Sequence, residues 1–263
     1  MKNIGFIGAG NMAEAIIGGI FAQGEMQRAD LCFYDPSPER ETYIAKTYQI
    51  APKGSIHDLL CCCEVVVLAV KPNIAPQVLA EMDVDDRAVF SIVTGLSYAA
   101  MKEKIAAKNC RFLRIMPNTP LMAGEGATVF AVPHTLNDEE FALAQVIFAA
   151  SGIVRQTDEA HLPAVTGISG SGPAYGYMFI EALADAGVKN GLPRTLAVEL
   201  AAQTLLGSAK MVQTSGLHTG TLKDNVCSPG GTTIEAVAVL EERSFRGAII
   251  EAVDACVEKA KKM

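Results

Sequence analysis

Asp224-Asn225-Val226-Cys227-Ser228-Pro229-Gly230-Gly231-Thr232-Thr233-Ile234-Glu235 is a glycine-and-hydroxyl loop that runs straight into an apolar helical pattern. Adjacent glycines let a backbone turn with its N–H groups facing inward, and the helix that follows adds the positive end of its dipole. A carboxylate or phosphate is the natural guest of such a nest. The same residues admit a second reading, because Thr232 with Glu235 spells a capping box and Gly230-Gly231 a tight turn.

At the other end of the chain, the short apolar run Asn3 to Ile7 leads into Gly8-Ala9-Gly10-Asn11-Met12-Ala13 and then the helical spacing of Ala15, Ile16, Ile17 and Ile20. In a strand, turn and helix of this kind Gly8 allows the turn, Gly10 lets a pyrophosphate approach the backbone, and small Ala13 permits close helix packing. A second strand, Leu31 to Tyr34, ends in Asp35, about 25 residues after Gly10, at the usual place for a ribose-binding carboxylate. A nicotinamide dinucleotide is therefore expected. Asp35 favours the diol of NADH and repels a 2′-phosphate; alternatively, Asp35-Pro36-Ser37-Pro38 is a turn with Ser37 as helix cap, leaving Arg40 to face the phosphate of NADPH. The residues leave NADPH or NADH open.

These residues need elements to position them. The chain has 263 residues, half of them apolar, which suffices for two domains. It enters a strand almost at once, without a basic stretch followed by an apolar one, and no apolar run reaches the length of a membrane span. A soluble cytoplasmic protein without membrane partners is expected. The seven cysteines include the run Cys61-Cys62-Cys63, which lacks paired metal-site spacing, so reduced thiols and no metal are expected. A net charge of -7 without a basic stripe argues against nucleic acid.

The alternation after the first strand predicts helix Pro38 to Thr47, strand Glu64 to Ala69, helix Ala75 to Glu81, strand Ala88 to Val93, helix Tyr98 to Ala107 and strand Arg111 to Met116. That is a parallel doubly wound α/β sheet. Strands Ala127 to Val132 and Ile153 to Gln156 flank a helix capped by Asn137 or Asp138 and running to about Ala150. The dinucleotide-binding domain is expected over 1–157. From 158 to 263 strand signals vanish, and helices are expected over Pro173 to Asn190, Pro193 to Gln213, Thr233 to Glu242 and a last segment to Met263. These helices are apolar on more than one face, which predicts an all-α domain that dimerises, the alternative being a monomeric bundle.

Ligands of open α/β sheets lie beyond the carboxyl ends of the strands. The loops there are Ala69-Val70-Lys71-Pro72, Thr94-Gly95 and Met116-Pro117-Asn118-Thr119-Pro120, where Lys71 or Asn118 is placed to reach cofactor hydroxyls or the nicotinamide amide. Gly167-Ile168-Ser169-Gly170-Ser171-Gly172-Pro173-Ala174-Tyr175 opens the helical part, with Ser171 or Gly172 as cap and Pro173 in the first turn. Its glycines permit close approach by a nicotinamide ring or by a neighbouring helix.

Together, Phe6-Ile7-Gly8-Ala9-Gly10-Asn11-Met12, Ala69-Val70-Lys71-Pro72, Met116-Pro117-Asn118-Thr119-Pro120, Ser169 through Tyr175 and above all Leu222 through Thr233 resemble the pyrroline-5-carboxylate reductase family over the whole chain. The resemblance implies a Rossmann-type domain, a helical dimerisation domain and an active site at the dimer interface, with higher assemblies of such dimers known in the family. It implies that Ser228, Gly231, Thr232 and Thr233 hold the carboxylate of 1-pyrroline-5-carboxylate, that Asn225 sits near the cofactor, and that L-proline is the product; the backbone N–H groups of the turn from Gly230 to Thr233 are the expected dock for that carboxylate. The chain departs from the family's usual pattern at Asp35, where a neutral residue is common, and at His218-Thr219, where His-Pro is common.

A protonated cyclic imine is already electrophilic and needs only a placed hydride, so positioning carries most of the chemistry. Thr233 is the candidate catalytic residue, its hydroxyl close to the ring nitrogen as proton donor or relay, or else bonded to its own helix backbone. A β-hydroxyacid dehydrogenase would need a lysine early in the helical part, and none stands between Lys108 and Lys189. His161 and His218 are the remaining candidate bases. A non-catalytic NAD(P)-binding regulatory protein would have no use for the second anion loop.

Overall fold

The computed structural model describes residues 3–24, 26–105 and 109–262. The chain opens β1 (Ile4–Ile7), α1 (Asn11–Gln23), β2 (Leu31–Tyr34), α2 (Pro38–Tyr48), β3 (Ala51–Pro52), α3 (Ile56–Leu60) and β4 (Val65–Leu68). It continues α4 (Ala75–Glu81), β5 (Ala88–Ser91), α5 (Tyr98–Lys104), β6 (Arg111–Met116), β7 (Gly126–Val132), α6 (Asp138–Ala149) and β8 (Gly152–Asp158). Helices follow: α7 (Leu162–Val165), a π turn at Thr166–Gly170, α8 (Gly172–Lys189), α9 (Arg194–Ser215), α10 (Thr219–Val226), α11 (Thr232–Glu242) and α12 (Phe245–Ala260). The tail expected for α5 at residues 106–107, and the final Met263, lie outside the described residues.

The eight strands form one sheet in the order β3-β2-β1-β4-β5-β6-β7-β8. Every pairing is parallel except β6 with β7, which meet antiparallel through Ile115 opposite Phe130. The double winding is visible in the alternation of side chains along each strand. Val65 and Val67 of β4 join Phe6, Phe33, Phe90 and Leu113 in a core shared with α1, α2 and α6. Val66 and Leu68 point the other way, into a core with α3, α4 and α5 that also holds Ile7, Val89 and Phe112. Strands buried on both faces read as apolar runs, which is why β1 (Ile4–Ile7) and β4 (Val65–Leu68) fall within the stretches Asn3 to Ile7 and Glu64 to Ala69 expected from the sequence.

Capping fixes the helix starts. Ser37 accepts from the Arg40 N–H at the head of α2, and Asn137 forms a reciprocal capping box with Glu140 at the head of α6. Glu140, fully buried, is also gripped by the Arg111 guanidinium through bonds of 2.9 to 3.1 Å, which ties α6 to β6.

The chain divides into two compact units. One gathers the residues through Ser171 together with those from Cys256 onward; the other is Gly172–Ala255. Within the helical unit α8 packs along α9 around Ala184, Ala197 and Ala201, small residues that let the two helices approach closely. Large apolar side chains remain exposed there, among them Tyr177, Met178, Leu206 and Ile250.

Candidate active site

β1 ends at Ile7 and the chain turns sharply at Gly8, whose φ of 91° lies in the left-handed region. Its N–H donates to the Tyr34 carbonyl at 2.9 Å, and a Cβ there would stand 2.6 Å from the Ala69 carbonyl oxygen. Gly8 is therefore required by the packing of the turn itself. Gly10 is different: it caps α1 in an ordinary extended conformation, no side chain bonds to the first-turn N–H groups, and a Cβ would meet nothing within 4 Å. The positive end of α1 is bare and has open space in front of it. That fits a pyrophosphate, so the residues present suit a dinucleotide.

Two cavities run along the carboxyl edge of the sheet from this turn. One, of about 450 Å³, is lined by Gly8, Gly10, Asp35, Ala69, Val70 and Lys71. The other, of about 250 Å³, is lined by Met12, Thr94, Met116, Asn118 and Gly170, and again by Ala69 and Val70. The two adjoin at Ala69 and Val70. Asn11 opens α1 beside them, and Pro72 continues the exposed loop after Lys71. The structure thus brings together Gly8, Gly10, Asn11, Met12, Asp35, Ala69, Val70, Lys71, Pro72 and Thr94 around one edge. Gly170, one of the glycines expected to permit close approach by a nicotinamide ring, lines one cavity, and Tyr34 and Gln77 line the other without having been singled out from the sequence as cofactor contacts.

Asp35 has structural work besides any contact to a ribose. Its carboxylate accepts from the Ala9 N–H at 2.8 Å and from the Ser37 N–H at 3.0 Å, so it clamps the glycine turn to the end of β2. Arg40 closes the other side of the same peptide, with Nε donating to the Ala9 carbonyl and Nη2 to Glu14. The Glu14 carboxylate also accepts from the hydroxyls of Tyr43 at 2.9 Å and Tyr48 at 3.3 Å. Burial would push the Glu14 carboxyl up, but the Arg40 guanidinium and the two phenols outweigh it and hold the carboxyl below its ordinary range.

Asn118 lines the second cavity, and both ends of its amide are engaged within the protein. It is 7% exposed, its Oδ1 accepts from the Ala127 N–H at 2.8 Å, and its Nδ2 donates to the Ser169 carbonyl at 3.0 Å. Both ends of its amide are committed to holding β7 and the π turn. Gly170 packs against Met116, whose Cε would lie 2.6 Å from a Cβ there.

In the helical unit α10 ends at Val226, and the loop through Gly231 leads into α11. Gly230 takes φ 66°, a turn conformation that a side chain disfavours. The capping box suggested by Thr232 and Glu235 is not what the chain builds, because the capping residue is Gly231 and Thr232 already stands in the helix. No side chain caps α11, so its first-turn N–H groups, Thr232 and Thr233 among them, are left for a guest. The Gly231 N–H is itself engaged, donating to the Ser228 carbonyl at 3.0 Å. The Ser228 hydroxyl lies over the Gly231 Cα, where a Cβ would come within 2.2 Å of it. Asn225 is exposed in the last turn of α10, the helix that leads into this loop.

The two histidines weighed as bases are otherwise occupied. His218 Nδ1 accepts from the Gly220 N–H at 3.0 Å and so caps α10, while His161 Nδ1 lies 3.1 Å from the Thr157 hydroxyl. Among the described residues, no group of three or more His, Cys, Asp or Glu is placed to hold a metal ion, and no helix is long and apolar enough to cross a membrane.

Residues 159–263 match the family model described as pyrroline-5-carboxylate reductase dimerisation, and residues 3–95 match that of NADP oxidoreductase, coenzyme F420-dependent. The pyrroline-5-carboxylate reductase of Escherichia coli K12 is 42% identical over 265 residues, spanning 100% of this chain and 98% of the relative. The crystal structure of Plasmodium falciparum pyrroline carboxylate reductase with NADP bound superposes with a TM-score of 0.89 at 36% identity, covering 99% of this chain and 97% of that one. The Streptococcus pyogenes 1-pyrroline-5-carboxylate reductase gives a TM-score of 0.90 at 33% identity over 100% and 99% of the two chains.

Proposed function

The chain belongs to the pyrroline-5-carboxylate reductase family, and from that premise we propose that it reduces 1-pyrroline-5-carboxylate to L-proline with NADH or NADPH. The observation that carries this reading is the pairing, in one chain, of two helix N-termini without side-chain caps: α1 behind Gly10 and α11 behind Gly231. One suits a pyrophosphate and the other a substrate carboxylate.

The bound nicotinamide supplies the hydride that the imine carbon takes up. The chain's own part is to hold and orient. Gly8, Gly10, Asn11 and Met12 receive the pyrophosphate, Asp35 the adenine ribose, and Ala69, Val70, Lys71, Pro72 and Thr94 form the floor beneath the rest, with Asn225 at the nicotinamide end. The substrate carboxylate is held by the N–H groups of Gly230, Thr232 and Thr233 and by the Ser228 hydroxyl, with Gly231 keeping the space clear. The Thr233 hydroxyl passes a proton at the ring nitrogen.

The dinucleotide-binding domain is assigned to 1–157 and the dimerising helical domain to 158–263, whose match to a dimerisation model and exposed apolar helices support a homodimer; the cytoplasm is assigned as its compartment. Neither nucleic acid nor a membrane is a partner in this reading. Purified protein mixed with 1-pyrroline-5-carboxylate and NADH or NADPH is expected to bleach the reduced-nicotinamide absorbance with formation of proline. No loss of absorbance with either cofactor sinks the reading.

A further inference from the structure

We propose that Glu14 is a positioning residue that withholds Arg40 from a 2′-phosphate and so sets the nucleotide site for NADH over NADPH. The proposal rests on the assignment of the Gly8 to Gly10 turn as the dinucleotide site.

Arg40 lies five residues beyond Asp35, in the first turn of α2, and its side chain borders the glycine turn through the Ala9 carbonyl. A guanidinium in this place is the natural fork for a ribose 2′-phosphate. Here the Nε–Nη2 edge of the fork is already filled. Nε serves the Ala9 carbonyl, Nη2 serves Glu14, and the guanidinium lies over the Tyr43 ring at 5.1 Å. Glu14 sits on the far side of the turn, on α1, with its side chain only 11% exposed. Swinging Arg40 out to a ligand would leave that carboxylate without its cation and with only the phenols of Tyr43 and Tyr48 as partners.

The charge balance points the same way. Asp35 lines the β2 end of the cavity, while Arg40, bonded to Ala9 of the glycine turn, is already neutralised by Glu14. Among the residues lining that cavity, Lys71 is a cation and Glu81 a further carboxylate. A phosphate carrying close to two negative charges meets repulsion there. A diol does not: the Asp35 carboxylate spends one bond each on Ala9 and Ser37 and keeps lone pairs for two hydroxyls.

The test is equilibrium binding of NADH and NADPH to the full-length protein, read by nucleotide fluorescence without substrate, so that it stands apart from the reductase assay. The wild type is expected to bind NADH about tenfold more tightly than NADPH. Glu14→Gln should tighten NADPH about fivefold while leaving NADH within about twofold; Glu14→Asp, which keeps the charge, should retain the wild-type ratio. Arg40→Leu should abolish the gain in Glu14→Gln. In steady-state assays the gain should fall on KM for NADPH and leave kcat alone. Equal or tighter binding of NADPH by the wild type overturns the proposal whatever the variants do. So does a Glu14→Gln protein whose ratio is unchanged, or whose affinity for both nucleotides falls alike.

Discussion

Asn118 donates from Nδ2 to the carbonyl of Ser169, which lies 51 residues further along the chain, at 3.0 Å. The usual α-helical donor to that carbonyl is missing, because the residue four positions on is Pro173, which carries no N–H. The same amide accepts from the Ala127 N–H through Oδ1. Asn118→Ala leaves a donor and an acceptor buried without partners and is expected to cost about 2 kcal/mol. Asn118→Asp keeps one bond and turns a carboxylate oxygen toward a carbonyl, so it should be at least as damaging. Urea unfolding monitored by far-UV circular dichroism reads both.

Gly8 and Gly10 separate structure from function. Gly8→Ala drives a Cβ toward the Ala69 carbonyl at a φ of 91° and is expected to destabilise the fold by about 1 to 3 kcal/mol. Gly10→Ala meets no protein atom within 4 Å, so unfolding should shift by less than about 1 kcal/mol. Nucleotide affinity should nevertheless fall about tenfold or more, because the new methyl fills the space before α1. Calorimetry and nucleotide fluorescence on the two variants check the contrast.

Thr233→Ala keeps the backbone N–H at the start of α11 and removes only the hydroxyl. Turnover is expected to fall about a hundredfold with little change in KM for the imine, and Thr233→Ser to recover most of it. Unchanged turnover with a raised KM would leave Thr233 an anchor and nothing more.

Glu14 also predicts an acid response. Its carboxyl is held below the usual 4.5, so the folded protein releases that proton more readily than the unfolded chain. The resulting stabilisation is fully present above pH 4.5 and fades as the pH falls through the lowered folded value. Wild type and Glu14→Gln should therefore differ by a constant amount above that pH and converge below it. Urea midpoints between pH 6 and about pH 3 give the comparison.

The stretches most legible in the sequence are those where one local signal suffices. β2 at Leu31–Tyr34, α4 at Ala75–Glu81 and β6 at Arg111–Met116 have the bounds that apolar runs and punctuation predict. β3 is two exposed residues and α10 a polar helix capped by a histidine, so neither carries a periodic pattern to read, and the i, i+3, i+4 spacing of Ile56, Leu59 and Leu60 in α3 spans barely more than one turn. The cofactor edge is legible because strand ends and glycines mark it. The grip of Glu14 on Arg40 is not, since it exists only once α1 and α2 lie side by side. Asn118 reads as a polar loop residue at a strand end; its duty to Ser169 depends on a tertiary meeting that no spacing encodes.

The Ser171 hydroxyl lies 3.2 Å from the Cys256 thiol, at the two points where the chain leaves the nucleotide-binding unit and comes back to it. In polymer terms the helical unit is a closed excursion with a common doorway. The entropy of closing such a loop rises only by about 0.6 kcal/mol for each doubling of its length. Helices added to or trimmed from the excursion therefore leave the host sheet almost unpenalised, and the two halves of the molecule are free to diverge in size at different rates.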